Sequence, residues 1–354
     1  MKKLLVLLFV VTILSCGEKT KKGIKSIEKV KPFNNVEVNH LVEDSLLNVR
    51  AMDTWGSSLI IATSSGKVII VSDPITIPIP PVKLIERNKI YDSLQVNFRA
   101  VSTNGGSIFS LGIASPTLLF KDEELVYQEN HPKAFYDAMD FWNDNEGIAI
   151  GDPTDNCMSI IITRDGGNTW NKLPCSNLPK AKEGEAAFAA SDTNIAIVGD
   201  KTWVATGGKA SRILYSPDKG LTWEVFNTPI VQGLETTGIY SIDFYDELNG
   251  FAIGGDYTKP EDNAANKIRT KDGGKTWQLV AENANPGYRS CVQYVPNSNA
   301  KELVAVGFKG IDYSSDSGNT WKHLSDEGYY TIRFLNDSTA YAAGNGRVSK
   351  LVFR

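Results

Sequence analysis

Four copies of one short pattern constrain this chain more than any other feature. They read TRDGGNTW ending at Trp170, SPDKGLTW at Trp223, TKDGGKTW at Trp277 and SSDSGNTW at Trp321, and all fit Ser/Thr-x-Asp-x-Gly-x-Thr-Trp. The intervals of 53, 54 and 44 residues are close to the roughly 40–50 residues of one four-stranded sheet in a ring of stacked sheets. The residue types suit a tight turn between two strands. Gly permits positive φ, Asp accepts backbone N–H groups across the turn, and Trp packs its ring between neighbouring sheets. Asp165, Gly167, Trp170, Asp218, Gly220, Trp223, Asp272, Gly274, Trp277, Asp316, Gly318 and Trp321 are therefore read as scaffold.

Upstream of each turn the same syntax recurs: an apolar segment, a turn, a second apolar run ending near Gly, a loop, then the strand entering the motif. FYDAMDF, GIAIG and MSIIITR precede the first copy; GIYSIDF, GFAIG and NKIRTK precede the third. Each is of strand length, rich in β-branched and aromatic residues, and bounded by turn signals. LNVRAMDTW with SLIIATSSGKVIIV, and VNFRAVST with IFSLGIASPTLLF, keep the syntax without the motif. The chain ends on three strands, YYTIRF, AYAAG and GRVSKLVF, and NVEVNHLVED near residue 40 supplies a fourth. The expectation is an all-β chain: a single β-propeller over residues 35–354, with seven four-stranded blades, six or eight being the alternatives, and ring closure by the N-terminal strand, which removes an open sheet edge.

The first residues, MKKLLVLLFVVTILSC, pair two lysines with an apolar run too short for a comfortable membrane span, as in a secretory signal. Ile13-Leu14-Ser15-Cys16 resembles the bacterial lipobox. Residues 1–15 are read as a lipoprotein signal peptide, Cys16 as the lipidated residue, and 16–34 as a Lys-rich flexible tether. The expected location is the bacterial cell envelope, on its periplasmic side or at the cell surface, with membrane contact through the lipid on Cys16. Cys157 and Cys175 lie symmetrically about Gly166, the middle of a hairpin, where they could face each other and form a disulfide in an oxidising compartment. Cys291, in an apolar strand, reads as a buried inert thiol.

A formal charge of −4 and the absence of a block of clustered Lys and Arg argue against a nucleic-acid partner. His40, His131 and His323 lack ligand spacing, so no metal enzyme is expected and no metal ligands are assigned, a Ca2+ ion in an Asp-rich loop being the alternative left open. No Gly-rich dinucleotide turn or CxxC occurs, and TGGKAS at Thr206–Ser211 lacks the P-loop spacing, so no cofactor is implied.

On its four turns the chain resembles Asp-box (bacterial neuraminidase repeat) propellers. In overall plan it resembles the photosystem II assembly and stability factor family, whose propellers are seven-bladed. The box also occurs in sialidases, xyloglucanases and sortilin-type receptors, so the resemblance implies fold and not activity. Similar exported chains are sometimes called oxidoreductases, a reading with no motif behind it here.

The box turns mark one face, so a site is expected at the opposite mouth of the channel. Aligning the first strand of each blade places Arg50, Arg99, Asp137, Glu185, Tyr240, Arg289 and Tyr330 there. Guanidinium groups at such a place need carboxylates, water or an anionic ligand. The loops GDPTDN, GDKTWVATGGKA and GGDYTKPEDNAAN add Asp152, Asp200, Trp203, Lys209, Asp256, Tyr257 and Lys259. The ligand-binding set is thus Arg50, Arg99, Asp137, Asp152, Glu185, Asp200, Tyr240, Asp256 and Arg289. The preferred reading is a noncatalytic binding or assembly module that holds a protein, anionic or carbohydrate ligand at this mouth. The alternative is a sialidase-like glycosidase, with Arg50, Arg99 and Arg289 on a substrate carboxylate, Tyr240 with Glu185 as nucleophile, and Asp137 or Asp152 as acid/base.

Overall fold

Gly147–Gly151 (GIAIG) and Leu303–Gly307 (LVAVG) are buried at every position. A strand covered on both faces needs a packed layer on each side. Alternation decides which residue meets which layer: Ile148 and Ile150 pack toward Ile195, Val204 and Leu214, while Ala149 packs toward Phe109, Leu111 and Trp170. Repeated from sheet to sheet, this two-sided packing builds a β-propeller. The computed structural model describes residues 32–354 apart from 57, 73–86, 89, 92 and 93. The expected signal peptide, Cys16 and the tether up to residue 31 lie outside the described residues. Phe33 already belongs to the body, buried against Tyr313 and Phe353. Among the described residues there is no α-helix, and no helix is long and apolar enough to cross a membrane.

Four of the principal sheets are four-stranded: Phe98–Thr103 to Glu124–Glu129, Tyr136–Phe141 to Asn171–Lys172, Ile195–Val198 to Glu224–Asn227, and Cys291–Tyr294 to Lys322–Ser325. A six-stranded sheet adds Glu185–Ala186 and Gly207–Gly208 to the edge of Thr237–Phe244. A seven-stranded sheet joins the chain ends, and Ile90–Tyr91 with Leu94–Gln95 makes a separate small pair. Among the described residues, the expected seven separate blades are thus corrected to six sheets of four or more strands. The reason is Val36–Trp55, which runs unbroken for 20 residues. Its first part pairs with Asn345–Phe353, from Val36↔Phe353 to Asn48↔Asn345, and its last part pairs with Ser58–Thr63. The chain ends therefore close on each other as the sequence predicts, and the closing strand continues directly into the next hairpin.

The four repeated turns share one hydrogen-bond pattern. In the first, Thr169 N and Oγ1 donate to Asp165 Oδ1 and Oδ2 at 2.9 and 2.7 Å, Thr163 Oγ1 donates to Asp165 at 2.9 Å, and Gly167 N donates to Thr163 Oγ1. Asp218, Asp272 and Asp316 repeat it with Thr222, Thr276 and Thr320. Burial works against ionisation of these four carboxyls, but the bonds they accept outweigh it and hold them below the usual range. Gly318 shows why the fifth position has no side chain. Its φ is +82°, and a Cβ there would run into the Phe251 ring of the preceding sheet.

Candidate functional site

Bulges in the innermost strands build the mouth. Arg50, Arg99, Asp137 and Tyr240 are each the extra residue at a register shift: Val49↔Thr63 is followed by Ala51↔Ala62, Phe98↔Gly112 by Ala100↔Leu111, Tyr136↔Gly151 by Ala138↔Ile150, and Ile239↔Gly254 by Ser241↔Ile253. A bulge frees one residue from strand alternation and re-aims its side chain. The bulged strand also crowds its partner: a Cβ on Gly151 would overlap the Phe135 carbonyl.

Arg50 and Arg99 stand in a cavity of about 320 Å³ whose aromatic lining is Phe135, Phe188, Tyr240, Tyr257, Tyr288, Phe308 and Tyr330. Arg50 lies over the Tyr330 ring, Cζ 3.9 Å from its centre, and its Nε has no hydrogen-bond partner. The two guanidiniums donate only long bonds to backbone carbonyls, Arg50 Nη1 to Ala190 O at 3.5 Å and Arg99 Nη1 to Ala189 O at 3.4 Å. Arg99 also holds Asn97 Oδ1 at 3.1 Å. Among the described residues neither arginine forms an ion pair. Burial, together with the charge of Arg50, lowers the Arg99 pKa to about 10. Phe188 stacks on Tyr240 at 3.9 Å and Tyr288 meets the same ring edge-on at 4.8 Å. At the rim, Tyr257 and Phe308 remain 50% and 41% exposed, so the aromatic wall is open to solvent there.

The floor is a segment that the sequence presents as an ordinary strand. Residues 187–194 cross the channel, bonding to the first strands of sheets all around it. Asp192 accepts from Val101 N at 2.9 Å and Met139 N at 3.1 Å, Ser191 Oγ donates to Ser290 O at 2.6 Å, and Ile242 N donates to Thr193 O at 2.9 Å. Thr331 Oγ1 and Arg333 Nη2 donate to Ser191 O and Asp192 O. Ala187–Ala190 line the aromatic mouth, and Asp192 and Thr193 line a second cavity of about 190 Å³ toward the repeated turns. Around that second cavity stand Asp53, Asp140, Asp243 and Arg333, none of which sequence reasoning had singled out. The legible signal is their offset: Asp53, Asp140, Asp243 and Arg333 each follow the mouth residue of their strand by three positions. Burial, and then the neighbouring Asp53, raise Asp140 to about 7; burial raises Asp243 to about 6.

The crossing segment displaces several expected site residues. Glu185 sits beside the channel mouth rather than in its ring, fully engaged by Arg212 Nη2 at 2.5 Å, Arg212 Nε at 3.0 Å and Thr206 Oγ1 at 2.7 Å. Because Ile195–Val198 is the first strand of its sheet, Asp200 falls in the following hairpin on the turn face, 3.4 Å from Lys219, and Trp203 is buried against Phe244. Arg289 leaves the ring as well: it is buried and paired with Asp312 at 2.6 Å, which also holds His323. Asp256 caps its own turn by accepting from Thr258 N and Oγ1, which fixes the neighbouring Tyr257 at the rim. The arrangement expected of a sialidase is not formed, since Arg289 stands apart from Arg50 and Arg99, Glu185 is bound to Arg212, and Tyr240 Oη donates to Thr236 O. Arg50, Arg99 and Tyr240 are brought together. Asp137 and Asp152 lie just behind them, Asp152 Oδ1 accepting from Ala187 N at 2.8 Å. The aromatics Phe135, Phe188, Tyr288 and Phe308 were missed; their signal is weak, since Phe135 directly precedes a strand, Phe188 and Tyr288 lie in irregular segments upstream of one, and Phe308 sits in the hairpin after Gly307.

The expected disulfide is present, joining Cys157 and Cys175 with Cα atoms 5.5 Å apart, and Cys291 is free and buried. No group of His, Cys, Asp and Glu among the described residues is arranged to hold a metal.

No family model matches the chain, and no curated protein matches it significantly. Solved structures do match in fold. YCF48 bound to D1 peptide superposes with a TM-score of 0.63 at 13% identity, covering 91% of this chain and 96% of that one. YCF48 from Cyanidioschyzon merolae gives 0.61 at 14% identity, covering 91% and 99%. U3-55K gives 0.61 at 13% identity, covering 91% and 100%. At these identities the likeness extends to the β-propeller fold and to nothing finer.

Proposed function

We propose that this chain is a noncatalytic binding propeller which holds an acidic segment of a partner protein in the aromatic mouth, against Arg50 and Arg99. The observation that carries the reading is a pair of partly buried guanidiniums, adjacent and, among the described residues, without a carboxylate partner, at the base of a cavity walled by aromatic rings. Such groups are costly to leave desolvated, and an incoming carboxylate satisfies both at once. The uncovered Tyr257 and Phe308 suit the apolar side chains flanking an acidic residue, as aromatic and Arg anchors do at protein interfaces. A propeller of like fold, YCF48, has been observed bound to a peptide, which agrees with this use of the scaffold. The repeated turns are read as Asp-boxes that brace the opposite face, and the N-terminal segment as a signal peptide with lipid on Cys16, displaying the mouth at a bacterial envelope. Calorimetry with the blocked peptide Ac-Phe-Asp-Asp-Phe-NH2 tests the reading. The chain should bind it, should bind Ac-Phe-Asn-Asn-Phe-NH2 at least about tenfold more weakly, and should lose the preference in Arg50→Ala/Arg99→Ala with the fold intact by circular dichroism. Equal affinity for the two peptides would refute the arginine role.

A further inference from the structure

Two carboxyls stand directly behind the floor of the mouth, and among the described residues neither is neutralised by an ion pair. Asp137, a bulged residue, is fully buried; it lies close to the Ala189 amide, yet neither of its oxygens meets a hydrogen-bond partner at bonding geometry. Asp152 closes the same layer and accepts the Ala187 N–H. Two neighbouring carboxylates, one of them fully buried, cannot both carry charge cheaply, so one proton between them is the economical state. Burial, and then the charge of Asp152, push the Asp137 pKa well up, while burial brings Asp152 to about 6.

The floor between these carboxyls and the mouth is thin. Ala187–Ala190 present only backbone and the Phe188 ring, with the acids bonding or facing its amides and Arg50 and Arg99 reaching its carbonyls from the other side. The charged groups acting on Asp137 are Asp152 and Arg99, and Arg99 in turn feels Arg50 and Tyr330. Further along, residues 191–194 are tied by short bonds to the strands around them, which fixes the spacing between the two layers.

We infer that an anion entering the mouth is taken up together with a proton from solvent, held on the Asp137–Asp152 pair behind the floor. The inference rests on the reading of the mouth as an anion site. With one proton already shared, the pair still carries one negative charge; an anion against Arg99 offsets the positive charge that favours it and adds like-charge repulsion across the floor, so that a second proton is taken up. Each effect favours the neutral acid, so by linkage binding strengthens as pH falls. The mouth would then load its acidic ligand in a mildly acidic setting and release it as pH rises.

Calorimetric titration of the intact chain with Ac-Phe-Asp-Asp-Phe-NH2 at pH 5.5, 6.5 and 8 decides the matter, because the peptide's own carboxyls stay ionised across that range. The dissociation constant should rise about tenfold from pH 5.5 to pH 8, corresponding to a shift of about one pKa unit on binding. Asp152→Asn keeps an acceptor for the Ala187 amide, and with Asp137→Asn it should flatten the dependence to within about twofold. The neutral Asn peptide should show no slope. A pH-independent constant in the unmodified chain, or an undiminished slope in the double variant, overturns the inference while leaving the anion site standing. If the Asp peptide fails to bind at every pH, the reading of the mouth itself is lost, and the linkage with it.

Discussion

A single inserted residue does more for this mouth than any sequence motif. Arg50, Arg99, Asp137 and Tyr240 reach the channel because each is an extra residue in its strand, and the residue three positions on then faces the opposite chamber. Strict alternation would have sent one of the two outward. Asp140 is therefore committed to a partly buried position on the second cavity beside Asp53 and Arg333, where loss of solvation, and then the Asp53 charge, raise its pKa from 3.8 to about 7. A carboxyl raised in this way binds its proton more tightly folded than unfolded. As pH climbs from about 4 to 7 the unfolded chain releases that proton first, and stability falls across the window and stays lowered above it. Asp140→Asn retains an acceptor for the Phe141 amide and removes the charge. The variant should equal the unmodified chain at pH 4 and exceed it by about 2 kcal/mol at pH 8, measured as urea unfolding midpoints; equal midpoints at pH 8 would show that Arg333 already neutralises the carboxylate. The mouth residues of these four strands were legible in sequence because aligning the strands by apolar pattern aligns their bulges. Glu185 was misread because EAAFAAS imitates such a strand while Ser191–Asn194 actually bond across the channel.

At the scale of the element, the connection from Cys175 to Asn194 is what separates this chain from a plain repeat of hairpins. It leaves its sheet at the Cys157–Cys175 disulfide, packs Leu178 inward, is gripped at Glu185 by Arg212, and only then crosses the channel. Arg212 also donates to Lys180 O at 2.8 Å, so one guanidinium organises both limbs of the turn before the floor. This ion pair is buried, with the two side chains 8% and 0% exposed. Removing one partner strands a charge, while replacing both by apolar residues does not. Glu185→Ala should therefore cost about 3–5 kcal/mol, and Glu185→Leu/Arg212→Met distinctly less; a double variant as unstable as the single one would mean that the pair contributes net stability beyond mutual neutralisation. The disulfide could be anticipated from two cysteines flanking a hairpin. The Glu185–Arg212 pair could not, since their partnership depends on a chain path that no periodicity encodes.

For the whole molecule, stability depends on how the ring is shut. Every sheet is covered on two faces only while the first and last segments remain paired, and Val36–Trp55 does this in one strand shared between the closing ladder and the next hairpin. Phe33 locks the seam, buried beside Phe353, Tyr313 and Tyr329, with Val36 and Val38 packed against the same cluster. The strand syntax at the two chain ends made this closure readable, whereas the fusion of two ladders in one long strand was not, because nothing in NVEVNHLVEDSLLNVRAMDTW punctuates it with Gly or Pro. Without residues 1–43 the strand Asn345–Phe353 becomes an exposed edge, and an unpaired edge both forfeits burial and invites self-association. A chain starting at residue 44 should melt about 10 °C lower than the full chain, from the apolar burial of Phe33, Val36, Val38 and their neighbours, and should form larger species in light scattering. A chain starting at residue 32 keeps the seam and should melt within about 2 °C of the full chain. If both truncations melt alike, the ring is held by its sheet-to-sheet packing and the closing ladder is dispensable.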